Sequence, residues 1–249
     1  MNRRAVAVLI GIVCLIGVVP DVVTSGPAVA GSSRAVAKAR LMSDDAGRGS
    51  GIATSVMQLA VGAVSCAVNS GAIEKPQTLT VIDYSLPSTE PRLWVFDVAT
   101  GRVLFKELVA HGRNTGDNVA TQFSDTMNSR QSSLGLFVTG NTYVGSNGYS
   151  LRLTGLEPGF NGNALDRAIV MHGAPYVDAA LAKQQGRIGR SWGCPAVREA
   201  IARDVIDTVR GGGVIFSYYP DDTWLSRSRF LNCGDTKEAK GTKTNAALS

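Results

Sequence analysis

Apolar side chains recur at three- and four-residue spacings between residues 52 and 68, as they do on one face of an amphipathic helix. Val56, Leu59 and Ala63 lie on that face, and Gly71 follows as a residue type that commonly ends helices. The pattern therefore predicts a helix that packs one side against the rest of the protein.

From residue 78 onward the pattern changes to short runs of β-branched and aromatic residues, which are typical of strands. The predicted strands are LTVIDY (79–84), RLWVFDV (92–98), RVLFKELVA (102–110), LGLFVTG (134–140), YSLRLTG (149–155), RAIVMHG (167–173) and VIFSYY (214–219). Only Ala99-Thr100-Gly101 separates the second run from the third, so these two are expected to form a hairpin.

Two further helices are predicted in the second half of the chain. One is expected from Asp178 to Gln185, ended by Gly186, and the other from Ala196 to Arg210. Strands and helices do not alternate regularly, which argues against a doubly wound sheet. The sequence predicts a mainly β fold with a few helices.

The start of the chain has the features of a secretory signal over residues 1–30. Arg3 and Arg4 precede an apolar run, and Ala28-Val29-Ala30 matches the small-residue pattern of a cleavage site. The apolar run stops at Pro20, short of the roughly 20 residues that a bilayer core requires. We therefore expect cleavage, export to the periplasm or cell-wall space, and no stable membrane span afterwards.

The remaining chain divides by composition into three parts. Residues 31–50 are small and polar and predict a linker, and residues 234–249 predict a disordered tail. The segment 51–233, which includes the first helix, is expected to form one catalytic domain, since 44% hydrophobic residues in 249 suffice for a single core. The formal net charge is +5 and the basic residues are scattered, so we expect no nucleic-acid partner. We also expect the protein to be a monomer.

Candidate chemistry is confined to one compact segment. The chain has only two histidines, His111 and His172, and lacks the CxxC, HExxH and G-x-S-x-G motifs, so we expect neither a metal nor a cofactor. His172 ends a predicted strand and Cys194 precedes a predicted helix. A helix N-terminus and the nearby Arg187 and Arg190 would favour a thiolate at Cys194, and His172 could serve as its base. A buried structural cysteine and histidine would be the alternative.

Residues around Cys194 suggest further roles. Backbone N–H groups at Gly193 and Cys194 could form an oxyanion hole in the loop that also contains Ser191. Trp192 is either a core residue or a wall over the thiol. His111, in VAHGRNTGDN, either lies at the mouth of a cleft or holds a turn.

The segment GRIGRSWGCPA, with an upstream strand ending in HGA, resembles the catalytic domains of L,D-transpeptidases, the YkuD-like superfamily, in a subgroup with Ser-Trp-Gly-Cys-Pro. The similarity extends over residues 76–220, where LTVIDYSLPSTEPRLWVFDV, ELVAHGRNTGDN, SRQSSLGLFVTG and YSLRLTGLEPGFN are also alike. Trp192 replaces the histidine of the commoner motif. The resemblance implies a catalytic β-sandwich.

The resemblance also implies an activity in cell-wall biogenesis. Cys194 would attack the L-centre carbonyl of a peptidoglycan stem tetrapeptide, release D-alanine, and pass the acyl group from a thioester to an acceptor amine, with His172 as general base. Arg113, Arg187 and Arg190 are candidates for the substrate carboxylates, or else ordinary surface arginines. Carbapenems trap the nucleophile of this family.

Two other functions fit the same segment. With water as the acceptor, the protein would be an L,D-carboxypeptidase or another peptidoglycan amide hydrolase. An unreactive Cys194 would instead favour a non-catalytic wall-binding domain.

Ser132 and Ser133, in SRQSSLG, resemble a family stretch beside the site. We expect them at most to support the residues that touch substrate, without touching it themselves.

The cysteine count supplies one structural expectation. Cys14 lies in the predicted signal, and three cysteines in an oxidising compartment leave one thiol unpaired. Because the motif assigns Cys194 to catalysis, we expect Cys66 and Cys233 to form a disulfide.

Overall fold

The computed structural model describes residues 49–233, so the predicted signal, most of the predicted linker and the predicted tail lie outside the described residues. The first element is helix α1, Thr54–Asn69, which buries Val56, Ala60 and Ala63 on one side. Gly71 follows with a left-handed φ of 72°, a conformation that glycine adopts without a Cβ penalty. The predicted amphipathic helix is confirmed.

Nine strands and three further helices are the other regular elements of residues 49–233. The strands are β1 Thr78–Asp83, β2 Leu93–Asp97, β3 Val103–Glu107, β4 Val109–Ala110, β5 Gly135–Gly145, β6 Gly148–Gly155, β7 Val170–Ala174, β8 Ala196–Arg198 and β9 Val214–Tyr218. The helices are α2 Ala179–Gln185, α3 Glu199–Val209 and α4 Asp222–Arg227. The predicted mainly β class is confirmed.

All nine strands form one sheet in the order β3-β2-β1-β9-β5-β6-β7-β8-β4. Its two edge strands, β3 and β4, are consecutive in the chain and separated only by Leu108. The sheet must therefore curl until its edges meet, which leaves it nearly closed. Most neighbouring pairs are antiparallel, but β1 with β9 and β7 with β8 are parallel.

Both faces of this sheet are buried. In β2, Leu93 and Val95 join the hydrophobic cluster that α3 covers, while Trp94 and Phe96 join the one that α1 and α4 cover. Successive strand side chains point to opposite faces, so a strand covered on both sides needs a continuous apolar run. This explains the consecutive apolar residues of β2, whereas β3 and β6 are partly exposed and contain polar residues.

The structure corrects two of the predicted elements and adds a third. Residues Ala196–Arg198, expected to begin a helix, form β8 because they pair with β7 on one side and β4 on the other. The run RVLFKELVA is split into β3 and β4. Helix α4 was not predicted, although Asp221 caps it by accepting the N–H of Trp224.

Cys66 and Cys233 form the predicted disulfide, with their Cα atoms 5.9 Å apart, and Cys194 is the free cysteine of the described residues. The bridge joins the end of α1 to the end of the domain across a sequence separation of 167 residues.

Replacing both bridge cysteines with serine is expected to lower the free energy of unfolding by about 4 to 5 kcal/mol, because a loop of that length loses much entropy when closed in the unfolded chain. Urea denaturation of the double variant and the wild type under non-reducing conditions measures the difference. Equal stabilities would show that the bridge does not restrict the unfolded chain.

Candidate active site

The sheet places His172 on β7 and Cys194 in the loop that enters the neighbouring parallel strand, β8. His172 lies in β7 opposite Ala196 of β8, and Cys194 lies two residues before Ala196. The Sγ of Cys194 accepts the N–H of Val170, the first residue of β7, so the thiol lies beside the strand that contains His172. The 21 residues between them contain α2 and most of the motif loop, residues 186–195.

Cys194 is a buried thiol, only 8% exposed. Its Sγ–H donates to the carbonyl of Ala168 over 3.8 Å, and Sγ accepts the N–H of Val170 over 3.5 Å. Burial raises the pKa of the Cys194 thiol above its ordinary value of 9.0, against smaller opposing effects of the Val170 N–H and Arg167. The resting group is therefore a neutral thiol.

His172 is also buried, and a backbone carbonyl fixes its orientation. Nδ1 lies 2.8 Å from the carbonyl oxygen of Gly173. Since a carbonyl can only accept, Nδ1 carries the proton and Nε2 keeps its lone pair. Burial lowers the pKa of His172 from 6.5, so the imidazole is neutral near pH 7. Such a ring is suited to take a proton through Nε2.

The motif loop turns tightly just before the thiol. Ser191 Oγ donates to the carbonyl of Cys194 over 2.6 Å and accepts the N–H of Gly193 over 3.1 Å. Gly193 has a φ of 124°, and a Cβ there would lie 2.7 Å from the carbonyl oxygen of Gln131, so only glycine fits. The N–H of Gly193, expected to help form an oxyanion hole, is instead directed at Ser191, which makes the N–H of Cys194 the better candidate.

Trp192 is 68% exposed and is therefore not a core residue. The guanidinium of Arg130 lies 4.7 Å from the centre of its ring, a cation–π geometry. An exposed indole two residues before the nucleophile forms part of the rim of the site.

The three arginines predicted to bind substrate have different surroundings. Arg190 forms a 2.7 Å ion pair with Asp117 and donates to the carbonyl of Gly116, while Arg187 lies 3.9 Å from the same carboxylate. Arg113 is exposed, and its backbone N–H donates to the carbonyl of Ser191 over 2.8 Å. Arg187 and Arg190 belong to the motif loop itself, and Arg113 is attached to it through this backbone hydrogen bond.

The groups expected to favour a thiolate at Cys194, the helix N-terminus and the arginines of the motif loop, are not the ones that the structure places near it. Helix α3 begins at Glu199, five residues after Cys194, so its N-terminus does not lie at the thiol. Arg190 is paired with Asp117. The cation that acts on Cys194 is Arg167, which the sequence analysis missed, although it is a charged residue directly before the apolar stretch that leads into His172.

His111 occupies the interior and holds a turn. It is 0% exposed, its Nδ1 lies 2.7 Å from an Arg92 guanidinium nitrogen, and its Nε2 lies 3.2 Å from the carbonyl of Gly116. The guanidinium only donates, so Nδ1 accepts and Nε2–H donates. Burial first, and then the positive charge of Arg92, lower the pKa of His111 to about 4. Of its two expected positions, this geometry corresponds to the turn, and His111 is buried away from the cleft mouth.

His111 should make the protein acid-labile. Its folded pKa of about 4 lies below the unfolded 6.5, so its contribution to stability is complete above pH 6.5 and is lost as pH falls toward 4. At pH 5 the loss is about 2 kcal/mol.

We expect the melting temperature of the wild type to fall between pH 7.5 and 5.0 by about 4 to 8 °C more than that of His111→Asn. Differential scanning calorimetry of both proteins at both pH values measures this, and equal falls would mean that His111 titrates normally.

Of the two serines in SRQSSLG, Ser132 contacts the motif loop and Ser133 does not. Ser132 Oγ accepts the N–H of Gly112 over 3.0 Å and donates to the carbonyl of Gly193 over 3.2 Å. Ser133 Oγ donates to the carbonyl of Ser124 over 2.9 Å. Ser132 thereby joins the motif loop to the turn that follows β4.

A family model described as the L,D-transpeptidase catalytic domain matches residues 48–218. No curated protein matches the chain. Among solved structures, an L,D-transpeptidase from Mycobacterium smegmatis is 16% identical, with 57% of this chain and 59% of that chain covered and a TM-score of 0.37. L,D-transpeptidase 1 from Mycobacterium tuberculosis is 16% identical, with 57% and 62% covered and a TM-score of 0.33. The chain thus spans less than two thirds of the length of these two structures.

Proposed function

The chain belongs to the L,D-transpeptidase catalytic domain family, and from this premise we propose that it is a peptidoglycan L,D-transpeptidase with Cys194 as nucleophile and His172 as general base. The observation that carries the assignment is the placement of the free thiol beside β7, with the Nδ1 proton of His172 held by Gly173. A base that is itself oriented by a third group is the arrangement that cysteine acyl transfer requires.

Acylation starts from a neutral thiol and a neutral imidazole. The thiol leaves the carbonyl of Ala168, gives its proton to Nε2 of His172, and forms a carbon–sulfur bond with the L-centre carbonyl of the donor stem. The N–H of Cys194 donates to the oxyanion. The imidazolium then protonates the nitrogen of the departing D-alanine as the carbon–nitrogen bond breaks. The product is a thioester on Cys194.

Deacylation repeats these steps in reverse with a new amine. The amine of a second stem attacks the thioester carbonyl, His172 accepts its proton, and that proton returns to sulfur as the carbon–sulfur bond breaks. The result is a new amide and a free thiol, so no other reactant is consumed. Desolvation of His172 keeps the ring neutral between the two half-reactions, which suits a group that must accept a proton twice.

Two exposed groups are suited to hold the stem peptides. Arg113 is attached to the motif loop through its backbone and offers a planar guanidinium for the carboxylate of the terminal D-alanine. Trp192 presents its ring at the rim beside it and can cover the apolar parts of the stem. Arg190 and Arg187 share the single carboxylate of Asp117, so their guanidinium groups are partly neutralised and less available to a substrate carboxylate.

We place the reaction outside the cytoplasmic membrane. The disulfide between Cys66 and Cys233 belongs to an oxidising compartment, and the substrate is found there. Within residues 49–233, no helix is long and apolar enough to cross a membrane.

The activity is tested with a stem tetrapeptide whose terminal D-alanine is labelled. Transpeptidation predicts equal amounts of free D-alanine and peptide dimer, both lost in Cys194→Ala. Free D-alanine with tripeptide alone would assign the protein as an L,D-carboxypeptidase. Binding of the peptide without release of D-alanine would leave a wall-binding domain.

A further inference from the structure

Arg167 is a buried cation directly before the stretch that leads into β7, with its side chain only 3% exposed. Its guanidinium makes four hydrogen bonds to the segment of residues 124–133, here called the serine loop. The acceptors are the carbonyls of Ser124 and Gln131, both at 2.7 Å, and the hydroxyls of Ser133 at 2.5 Å and Ser129 at 3.1 Å. One side chain thus holds both ends of this loop.

The serine loop in turn lies against the motif loop. The carbonyl oxygen of Gln131 is 2.7 Å from the position that a Cβ on Gly193 would take, and a guanidinium nitrogen of Arg167 is 3.4 Å from the same point. Ser132 Oγ donates to the carbonyl of Gly193. The residue next to the nucleophile is therefore packed against Arg167 and against the loop that Arg167 holds.

The backbone brings this cation to the thiol. Ala168 has a left-handed φ of 53°, which costs an alanine about 1 kcal/mol or more and is retained only where the surroundings fix it. The carbonyl of this same Ala168 accepts the Sγ–H of Cys194. The turn at Ala168 thus places a hydrogen-bond acceptor at the thiol and the Arg167 guanidinium against Gly193, the residue before the nucleophile.

The positive charge of Arg167 is only partly balanced. Asp125, 6% exposed, lies 3.7 Å from the guanidinium, and both of its carboxylate oxygens accept the N–H of Asn163 at shorter distances. A guanidinium stays charged even when buried, and charges act more strongly there than in water.

The other titratable groups whose charge reaches Cys194 are Tyr84 and Tyr176, both neutral up to about pH 12 because burial raises the pKa of each to about 12. His172, on the neighbouring strand, is neutral near pH 7. Arg167 is thus the one permanent positive charge acting on the thiol among the described residues.

We propose that Arg167 is the positioning residue of this site: it clamps the serine loop against Gly193 and supplies the positive charge that stabilises the thiolate form of Cys194. The proposal deepens the proposed function and rests on it for the use made of that thiolate. A helix N-terminus often activates a cysteine. In this fold a buried arginine, in the turn before β7, takes that place.

The test is the pH profile of Cys194 alkylation by iodoacetamide, followed at the Cys194 peptide by mass spectrometry in the full chain. Arg167→Gln keeps hydrogen-bonding capacity but removes the charge, and we expect its rate at pH 8 to fall at least tenfold and to recover as pH rises. Arg167→Lys keeps the charge and should stay within about threefold of wild type. Circular dichroism establishes that each variant is folded.

Asp125→Asn provides an independent variant that leaves Arg167 in place. Removing the countercharge should raise the alkylation rate at pH 8 about threefold, opposite in sign to Arg167→Gln. An unchanged profile in folded Arg167→Gln, or an Arg167→Lys rate as low as that of Arg167→Gln, would overturn the charge role. If Arg167→Gln does not fold, an unchanged profile in Asp125→Asn overturns it instead.

Alkylation needs no peptidoglycan, so a failure of D-alanine release with the expected alkylation profiles would count against the proposed function alone.

Discussion

Cys194→Ala is expected to lose D-alanine release from a stem tetrapeptide by at least about ten-thousand-fold while remaining folded. The carbon–sulfur bond cannot form, and the residual binding and hydrogen-bonding groups provide little rate without a nucleophile. The substitution is small and replaces a side chain that makes only weak contacts, to Ala168 and Val170, so stability should change little. Release of labelled D-alanine, followed by liquid chromatography, measures the effect.

A second measurement locates the nucleophile without turnover. A carbapenem should add once to the wild type, as seen by intact mass spectrometry, and not at all to Cys194→Ala. The matched control is the double variant Cys66→Ser and Cys233→Ser, whose bridge belongs to the cluster under α1, on the opposite face of the sheet from Cys194. It should still take up one equivalent. An adduct that persists in Cys194→Ala would remove Cys194 from the mechanism.

Much of the fold was predictable because burial on both faces leaves a clear mark in the sequence. Strand β1 is buried over its whole length and β2 and β9 over their first four residues, mostly with apolar side chains. The hairpin between β2 and β3 is marked by Gly101, which has the left-handed φ that such a turn needs. Such patterns depend only on residues close together in the sequence, so they can be recognised without knowing which segments pair.

Strand β8 was not predictable for the opposite reason. Ala196 and Val197 also fit the apolar side of the helix that follows, and what makes them a strand is pairing with His172, Gly173 and Val109, all distant in the sequence. Periodicity cannot report hydrogen bonds between distant segments. The same error placed a helix N-terminus too close to the thiol.

The same distinction between local patterns and distant contacts decides which residues of the site could be predicted. Cys194 and His172 stood out because of the motif around them, but the two groups that orient them did not. The carbonyl of Gly173 carries no side-chain signal at all. Arg167 acts across 27 residues of sequence, and the turn that aims it depends on a left-handed alanine, a conformation for which alanine has no preference.

His111 shows how a residue can look functional for structural reasons. Its loop has the glycines and acidic residue typical of a cleft mouth, yet its partner is the buried Arg92, which also donates to the carbonyl of Val109. A buried guanidinium needs acceptors, and a neutral histidine supplies one without adding charge. Composition alone does not separate this role from catalysis.

His172→Ala should lower D-alanine release at pH 7 about a hundredfold or more. Without the base, only thiolate already present can attack, and because the pKa of Cys194 is raised above 9.0, about 1% or less of the thiol is ionised at pH 7. Loss of the acid that protonates D-alanine slows the reaction further. The stability of the variant should stay close to that of the wild type, since the hydrogen bond that the ring makes is to the adjacent Gly173.

The pH profile separates this mechanism from a preformed ion pair. In the wild type the rate should stay level down to about pH 6.5 and fall only in more acidic solution, because the pKa of His172 is lowered from 6.5 and only the neutral ring accepts a proton. In His172→Ala the rate should instead rise about tenfold per pH unit from pH 7 to 9, as thiolate forms. The matched control is His111→Asn, the other histidine of the chain, which should keep the wild-type profile. A level profile in folded His172→Ala would place the base elsewhere.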